Sequence, residues 1–587
     1  MASSEYSDNF LGRARESLGR LNLFHWAVFL IVSAAVLTPL AFLILGSFSA
    51  NELPTDFSFD ALTLDHYREV WLDPDTYTVF YNTFIYVTGA TVFGISMAAM
   101  LAWLVERTNI PGKIWIYAGV PMTLAMPGML QAMAYVLLLS PRIGFLNKAI
   151  EPLGLGPVDI YTLGGMIFIE GLRLVPTAFL MLVPLLRSMD PALEEAAAMS
   201  GASPQSTMRK VTAKLMLPGL LAVTIYQCMT ALEVFEVPGI LGMPASIYVF
   251  STKIYVTLHT VADVPAYGDA NALAIIYVFI AIAATWLYAR IIVRSERFTI
   301  ITGKGYRPRE ADLGRWRYWA VTLVFVFMLF SIILPFLVLL YVSFLPYIQA
   351  PSLAAFQNMT LEHYTELWEA PEIGQVMSNT IYLVVITSTL TVVISFLISL
   401  VIVRSKFWGR KILDQLAFVP HAIPGIVMGL AFLWLFLQAG KIGIDIHGGI
   451  WAMSLAFTVG FIAYGTRSMN AAILQIHQDL EEAAYVSGAD RLRTMWRIFY
   501  PLMLPTFVGV WIWAMLLAVR QAGKPLVLYE GSENQVLAIL IWNMWDGGEI
   551  ELVGAIGTLL IVGLLLITLL LRQLGFGRGA SVQQAGT

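Results

Sequence analysis

Leu193 to Pro218 reads LEEAAAMSGASPQSTMRKVTAKLMLP, and Leu480 to Pro505 reads LEEAAYVSGADRLRTMWRIFYPLMLP. Laid together at an offset of 287, the two stretches share 14 of 26 positions. Each is polar, rich in helix formers, and preceded by a long apolar run. The chain around them is 58% hydrophobic and only 13% charged over 587 residues, whereas soluble proteins average roughly 25% charged. A bilayer core of about 30 Å takes about 20 apolar residues per helix. About twelve runs meet that length, near 24–47, 78–105, 114–140, 161–187, 215–240 and 270–294, then 318–344, 377–404, 411–437, 448–475, 502–525 and 550–572. They are continuous rather than alternating, which excludes the β-barrel solution. The expected fold is an all-α polytopic membrane protein of about 12 transmembrane helices.

The repetition extends beyond the quoted pair. Thr63-Leu-Asp-His-Tyr67 with Trp71 and Pro74 recurs as Thr360-Leu-Glu-His-Tyr364 with Trp368 and Pro371, at an offset of 297. Asn82-Thr83 matches Asn379-Thr380, Arg107 matches Arg404, and Pro127-Gly128 matches Pro424-Gly425 at that same offset. The first half therefore carries ten extra residues, expected in the outer loop 141–160. Two six-helix halves in direct repeat are implied: 24–294 with a polar loop at 188–214, and 318–572 with one at 476–501. A segment 1–23 precedes them, a basic linker 295–317 joins them, and a tail 573–587 follows. An even number of spans per half gives both halves one orientation, with a shared path expected at their interface. The first span is too long, and its flank too polar, for a cleaved leader, so it reads as retained.

Charge placement sets the direction. With both termini in the cytoplasm, most of the 35 Lys and Arg fall inside, as the positive-inside rule requires. Both quoted stretches then face the cytoplasm. Asp190-Pro191 reads as a helix start, and the acids behind it favour the helix dipole. Gly201 permits a sharp turn, Thr207 to Leu217 reads as a second short helix, and Pro218 as the start of the next span. The second copy repeats this pattern around Gly488. The result is a knob with small residues at its tip.

Glu-Ala-Ala, three residues, Gly, and a Leu-Pro about 16 residues later resembles the EAA loop of binding-protein-dependent ABC importer permeases. The resemblance covers both halves and implies a fused permease of the type I fold. It also implies that each loop docks on a cytoplasmic ATPase subunit. The residues carrying it are Glu194, Glu195, Ala196, Ala197 and Gly201, and Glu481, Glu482, Ala483, Ala484 and Gly488. The implied partners are two copies of a cytoplasmic ABC ATPase, an extracytoplasmic solute-binding protein and membrane lipid, with no nucleic acid. The implied setting is the bacterial inner membrane. No GxxxxGK[ST] phosphate loop occurs in the chain, so ATP hydrolysis falls to a separate subunit. No catalytic constellation or cofactor is expected. The two-half layout, with Gly531-Ser-Glu and Ile541-Trp-Asn-Met-Trp545, is most similar to the ferric-iron permeases. Thiamine, polyamine and phosphonate importers share much of the pattern, and an ion-coupled secondary transporter is the alternative of a different class.

Ionisable groups inside a membrane are costly and usually functional. Glu233 and Arg520 correspond at the 287 offset and are expected on the translocation path as a gate pair, with Glu236 close by. Glu170 and Arg173 lie three apart and read as a local pair. The seven histidines show no metal-ligand spacing, and His66 and His363 read as interfacial anchors. Cys228, the single cysteine, excludes disulfides and reads as a small packed group.

Overall fold

The computed structural model describes residues 2–51, 53–154, 156–187, 196–197, 199–259, 265–295 and 310–573. Most of the linker (296–309) and of the tail (574–587) lies outside them. Among the described residues helices dominate, and β structure is confined to isolated bridges. The principal helices are α1 (Ala2–Ser47), α2 (Asp65–Leu72), α3 (Pro74–Arg107), α4 (Lys113–Met122), α5 (Gly128–Leu139) and α6 (Leu163–Arg187). Next come α7 (Ala213–Glu233), α8 (Tyr267–Ser295), α9 (Trp316–Met328), α10 (Leu334–Ser343), α11 (Glu362–Glu369) and α12 (Pro371–Arg404). The chain closes with α13 (Arg410–Phe418), α14 (Gly425–Gly440), α15 (Ile450–Gln475), α16 (Gln478–Val486), α17 (Tyr500–Arg520) and α18 (Ile550–Gln573).

Eight described helices are long and apolar enough to cross a bilayer, and three further bent pairs bring the total to as many as eleven. Eleven of the twelve expected runs are thereby matched. The twelfth, α15, has the length at 26 residues but falls short in apolarity. It carries Ser454, Thr458, Thr466, Arg467, Ser468 and Asn470.

Two runs that read as continuous in the sequence are broken, and both break at the repeated Pro-Gly. The segment 113–139 bends by 92° and 410–441 by 111°. The cause is local. A proline's ring pushes the residue before it out of the helical region. Met126 (φ −80°, ψ 114°) and Ile423 (φ −99°, ψ 120°) are accordingly extended. Pro127 and Pro424 are extended too, and each caps the helix that restarts at the glycine.

The described chain forms two compact units, each assembled from distant segments. Among the described residues, one combines 2–63 with 376–536; the other combines 64–375 with 537–573. In the first, α1 packs on α13 and α14. Trp26 and Phe29 meet Phe407 there with ring centroids 5.3 and 5.8 Å apart. In the second, α10 packs on α5 and α18. A π-helical turn at Leu329–Ile333 turns two carbonyls outward. Gln131 Nε2 donates to Ser331 O at 3.1 Å and Tyr135 OH to Phe330 O at 2.6 Å. The described end of the linker is stapled to the loop behind α3. Ala311 pairs with Thr108, and Lys113 Nζ reaches Glu310 Oε1 at 2.6 Å. The Gly314 N–H, with the Asn109 amide, holds the Asp312 carboxyl below its usual range. Away from these contacts the spans expose large apolar side chains, such as Leu30, Ile31, Phe84 and Phe279. In water such a surface would aggregate; in lipid it is solvated.

Candidate coupling site

The second quoted stretch begins as α16. Its first turn carries Asp479 and Glu481, where acids favour the dipole. The helix ends in a Schellman motif: Gly488 N donates to Tyr485 O at 3.0 Å and Ala489 N to Ala484 O at 2.9 Å. That geometry requires a left-handed residue, and Gly488 has φ +79°. The first stretch closes in the same way. Ala202 N donates to Ala197 O at 3.0 Å, and Gly201 has φ +82°. A Cβ built on either glycine would meet nothing within 4 Å. The requirement for glycine is therefore conformational, with no steric component.

The correspondence continues through the turn. Asp490 Oδ1 accepts from Arg493 N at 2.8 Å, and the equivalent Ser203 Oγ accepts from Ser206 N at 3.3 Å. Both are N-caps. One helical turn follows (Pro204–Thr207; Arg491–Thr494), then a π-helical turn (Met208–Thr212; Met495–Phe499), then α7 and α17, each 21 residues long. All of these boundaries agree at the offset of 287. Here the structure corrects the sequence reading. The second short helix is continuous with the following span, so Pro218 and Pro505 lie inside helices rather than opening them. The first copy bends by 55° at Pro218, whereas the second runs unbroken from Leu492 to Arg520.

Of the expected docking residues, Ala196, Glu482, Ala483, Gly201 and Gly488 are exposed, and Ala197, Glu481 and Ala484 are half-buried. Glu194 and Glu195 lie outside the described residues. Sequence reasoning missed the apolar tip. Met199 is 91% exposed and Val486 is 90% exposed, and these two positions correspond at 287. The signal was present as a non-polar residue two before each glycine.

An arginine ties the second knob to the spans. Arg404, the last residue of α12, donates to the Ile473 carbonyl at 3.0 Å and to the Ile476 carbonyl, both at the end of α15. Its Nε lies 2.9 Å from Glu481 Oε1, in a pair whose side chains are mostly buried. Its repeat counterpart Arg107, at the end of α3, donates to the Leu186 carbonyl at 3.0 Å. Leu186 is the counterpart of Ile473. In both halves the helix before the Pro-Gly break thus grips the helix that leads into the knob.

Residues 391–575 match the family described as the binding-protein-dependent transport system inner membrane component. The chain is a permease of that importer family. Over 493 residues the permease is 24% identical to a ferric transport system permease protein of Actinobacillus pleuropneumoniae, covering 82% of this chain and 68% of that one. It is 23% identical over 269 residues to a sulfate transport system permease protein of Synechocystis, covering 44% of this chain and 89% of that one. A solved bacterial ABC transporter that imports alginate matches at 17% identity and a TM-score of 0.35, covering 44% of this chain and 94% of that one.

The ionisable groups expected on the permease's path are distributed as follows. Glu233 closes α7 in one compact unit and Arg520 closes α17 in the other. Glu236 is buried just beyond α7. Glu170 Oε2 accepts from Arg173 Nη1 at 2.6 Å, the local pair that their spacing implies.

Proposed function

We propose that this permease carries ferric iron across a bacterial inner membrane, driven by two copies of a separate cytoplasmic ABC ATPase. The observation that carries the power source is the pair of knobs, alike in caps, glycine conformation, π-turn and exposed apolar tip. Two equivalent exposed knobs on one chain suit two copies of one partner. Ferric cargo is supported by the relative named for ferric transport, whose similarity spans most of this chain. On this reading an extracytoplasmic binding protein delivers the ion, and the termini and both knobs are cytoplasmic. Closure of the ATPase dimer pushes on the knobs, and Arg404 passes the displacement from α16 to α12. Glu233, Glu236 and Arg520 act along the cargo's path.

Reconstitution with a co-encoded ATPase tests the proposal. Proteoliposomes should take up iron only with ATP inside and with a ferric-loaded binding protein outside. Uptake driven by a proton gradient without ATP contradicts the power source. ATP-dependent uptake of sulfate or a polyamine, but not iron, contradicts only the cargo.

A further inference from the structure

Outside the coupling site, the described residues hold one grouping of three side chains with metal-ligating atoms close together: His66, Glu69 and Asp269. These atoms all lie within 4.8 Å of one another. His66 and Glu69 are three apart on α2, hence on one helix face, and Asp269 is in the first turn of α8. His66 Nδ1 is 2.8 Å from Asp269 Oδ1, close enough for both atoms to turn onto one ion bound at about 2.1 Å. Gly268 makes this approach possible, because a Cβ there would sit 2.2 Å from the His66 ring. Any other residue would force the imidazole away from α8.

The repeat shows that this grouping is more than a copy of an anchor. In the second half His363 Nε2 is bonded to the Leu345 carbonyl at 2.8 Å, and Nδ1 lies 3.7 Å from Glu366 Oε2. His66 and Glu69 correspond to His363 and Glu366 at 297, but among the described residues the grouping of three is found only in the first half. The anchoring role needs the histidine alone; Asp269 is an addition. The His66 and Asp269 side chains are 23% and 29% exposed, and Glu69 is exposed. Solvent therefore reaches the pair, and the glutamate can swing in.

We propose that His66, Glu69 and Asp269 bind a first-row divalent cation where α2 meets the start of α8. One imidazole nitrogen and two carboxylate oxygens suit zinc, cobalt, manganese or ferrous ions, with water completing the shell. Bound there, the ion clamps α2 onto α8. The grouping is hidden in the sequence because Asp269 lies 203 residues from His66.

The test is calorimetric titration of the purified permease, isolated through a histidine-free tag, with Zn2+ and separately with Co2+. One saturable site per chain is expected. His66→Ala and Asp269→Asn should each weaken it by more than about tenfold, the loss that even an outer-shell partner's removal brings. Glu69→Gln, at an exposed position, should weaken it to the same degree without disturbing the fold, and so decides the matter if His66→Ala misfolds. His363→Ala should leave binding unchanged. Absence of saturable binding, or binding that survives Glu69→Gln and Asp269→Asn, overturns the site and leaves a plain His–Asp ion pair.

Discussion

The two halves agree most closely at their knobs and diverge inside the spans. At the knobs, glycine dihedrals, caps, π-turns and exposed tips coincide residue for residue. Within the spans both halves set a cation beside the Pro-Gly break, but by different means. In the first half Arg173 from α6 lies against Gly128, where a Cβ would meet its guanidinium, and Glu170 pairs with it. The counterparts of Glu170 and Arg173 at 287 are Phe457 and Gly460. The cation there comes instead from Lys524, whose Nζ lies 4.8 Å over the Phe457 ring and takes the space that a Cβ on Gly460 would need. A carboxylate in one half is replaced by an aromatic face in the other. On the proposed docking of one partner at both knobs, what must fit it twice has stayed the same; what faces its own half's packing has drifted with compensation.

The largest expected effect comes from breaking the agreement at the knobs. Gly201→Val with Gly488→Val forces a branched side chain into a left-handed conformation that costs an ordinary residue roughly 1–2 kcal/mol, with nothing nearby to clash. The protein should still insert and purify as the wild type does, while ATP-dependent uptake falls to background. Full uptake by the double variant would show that the knob conformation is irrelevant to coupling.

Next is the divergence inside the spans. Glu170→Phe strands Arg173 and should destabilise the detergent-solubilised protein by about 3–5 kcal/mol in denaturant titration. Phe457→Glu, the reverse exchange, places a carboxylate near Lys524 and should cost less than half as much. Equal losses would mean that the two cations are not compensated in the way described.

Smaller effects probe the tips and caps. Met199→Ala and Val486→Ala remove apolar surface worth about 1.5–3 kcal/mol when buried in a partner. Each should weaken ATPase binding by about tenfold or more in a pull-down titration and leave thermal stability unchanged. Asp490→Ala and Ser203→Ala delete matching N-caps worth about 1 kcal/mol each. Both should slow uptake modestly, and to a similar extent. A large effect of one cap alone would mean that the halves are driven unequally.

The sequence made the helical class, the repeat and the knobs legible, because apolar length and duplicated residues are local signals. Gly201 and Gly488 could be read as turn formers before any dihedral was known. The breaks at Pro127-Gly128 and Pro424-Gly425 were present as text, but apolar periodicity does not distinguish a straight run from one bent by 92° or 111°. The π-turns left no sequence sign. Arg404 was visible only as a repeat of Arg107. Its grip on Ile473, Ile476 and Glu481 depends on packing between helices about 70 residues apart in the chain. The assembly of each compact unit from distant segments is likewise a long-range property that periodicity does not carry.

The account rests most heavily on the knobs being where a cytoplasmic ATPase docks. Cys228 is the single cysteine, so a Cys228→Ser background allows Met199→Cys and Val486→Cys to be cross-linked one at a time to the co-expressed ATPase in intact membranes. Each position is expected to join one ATPase subunit, the double variant to join two, and neither thiol to be labelled by a membrane-impermeant reagent added from outside. Labelling from outside, or no cross-link at either tip while ATP-dependent uptake proceeds, would contradict it.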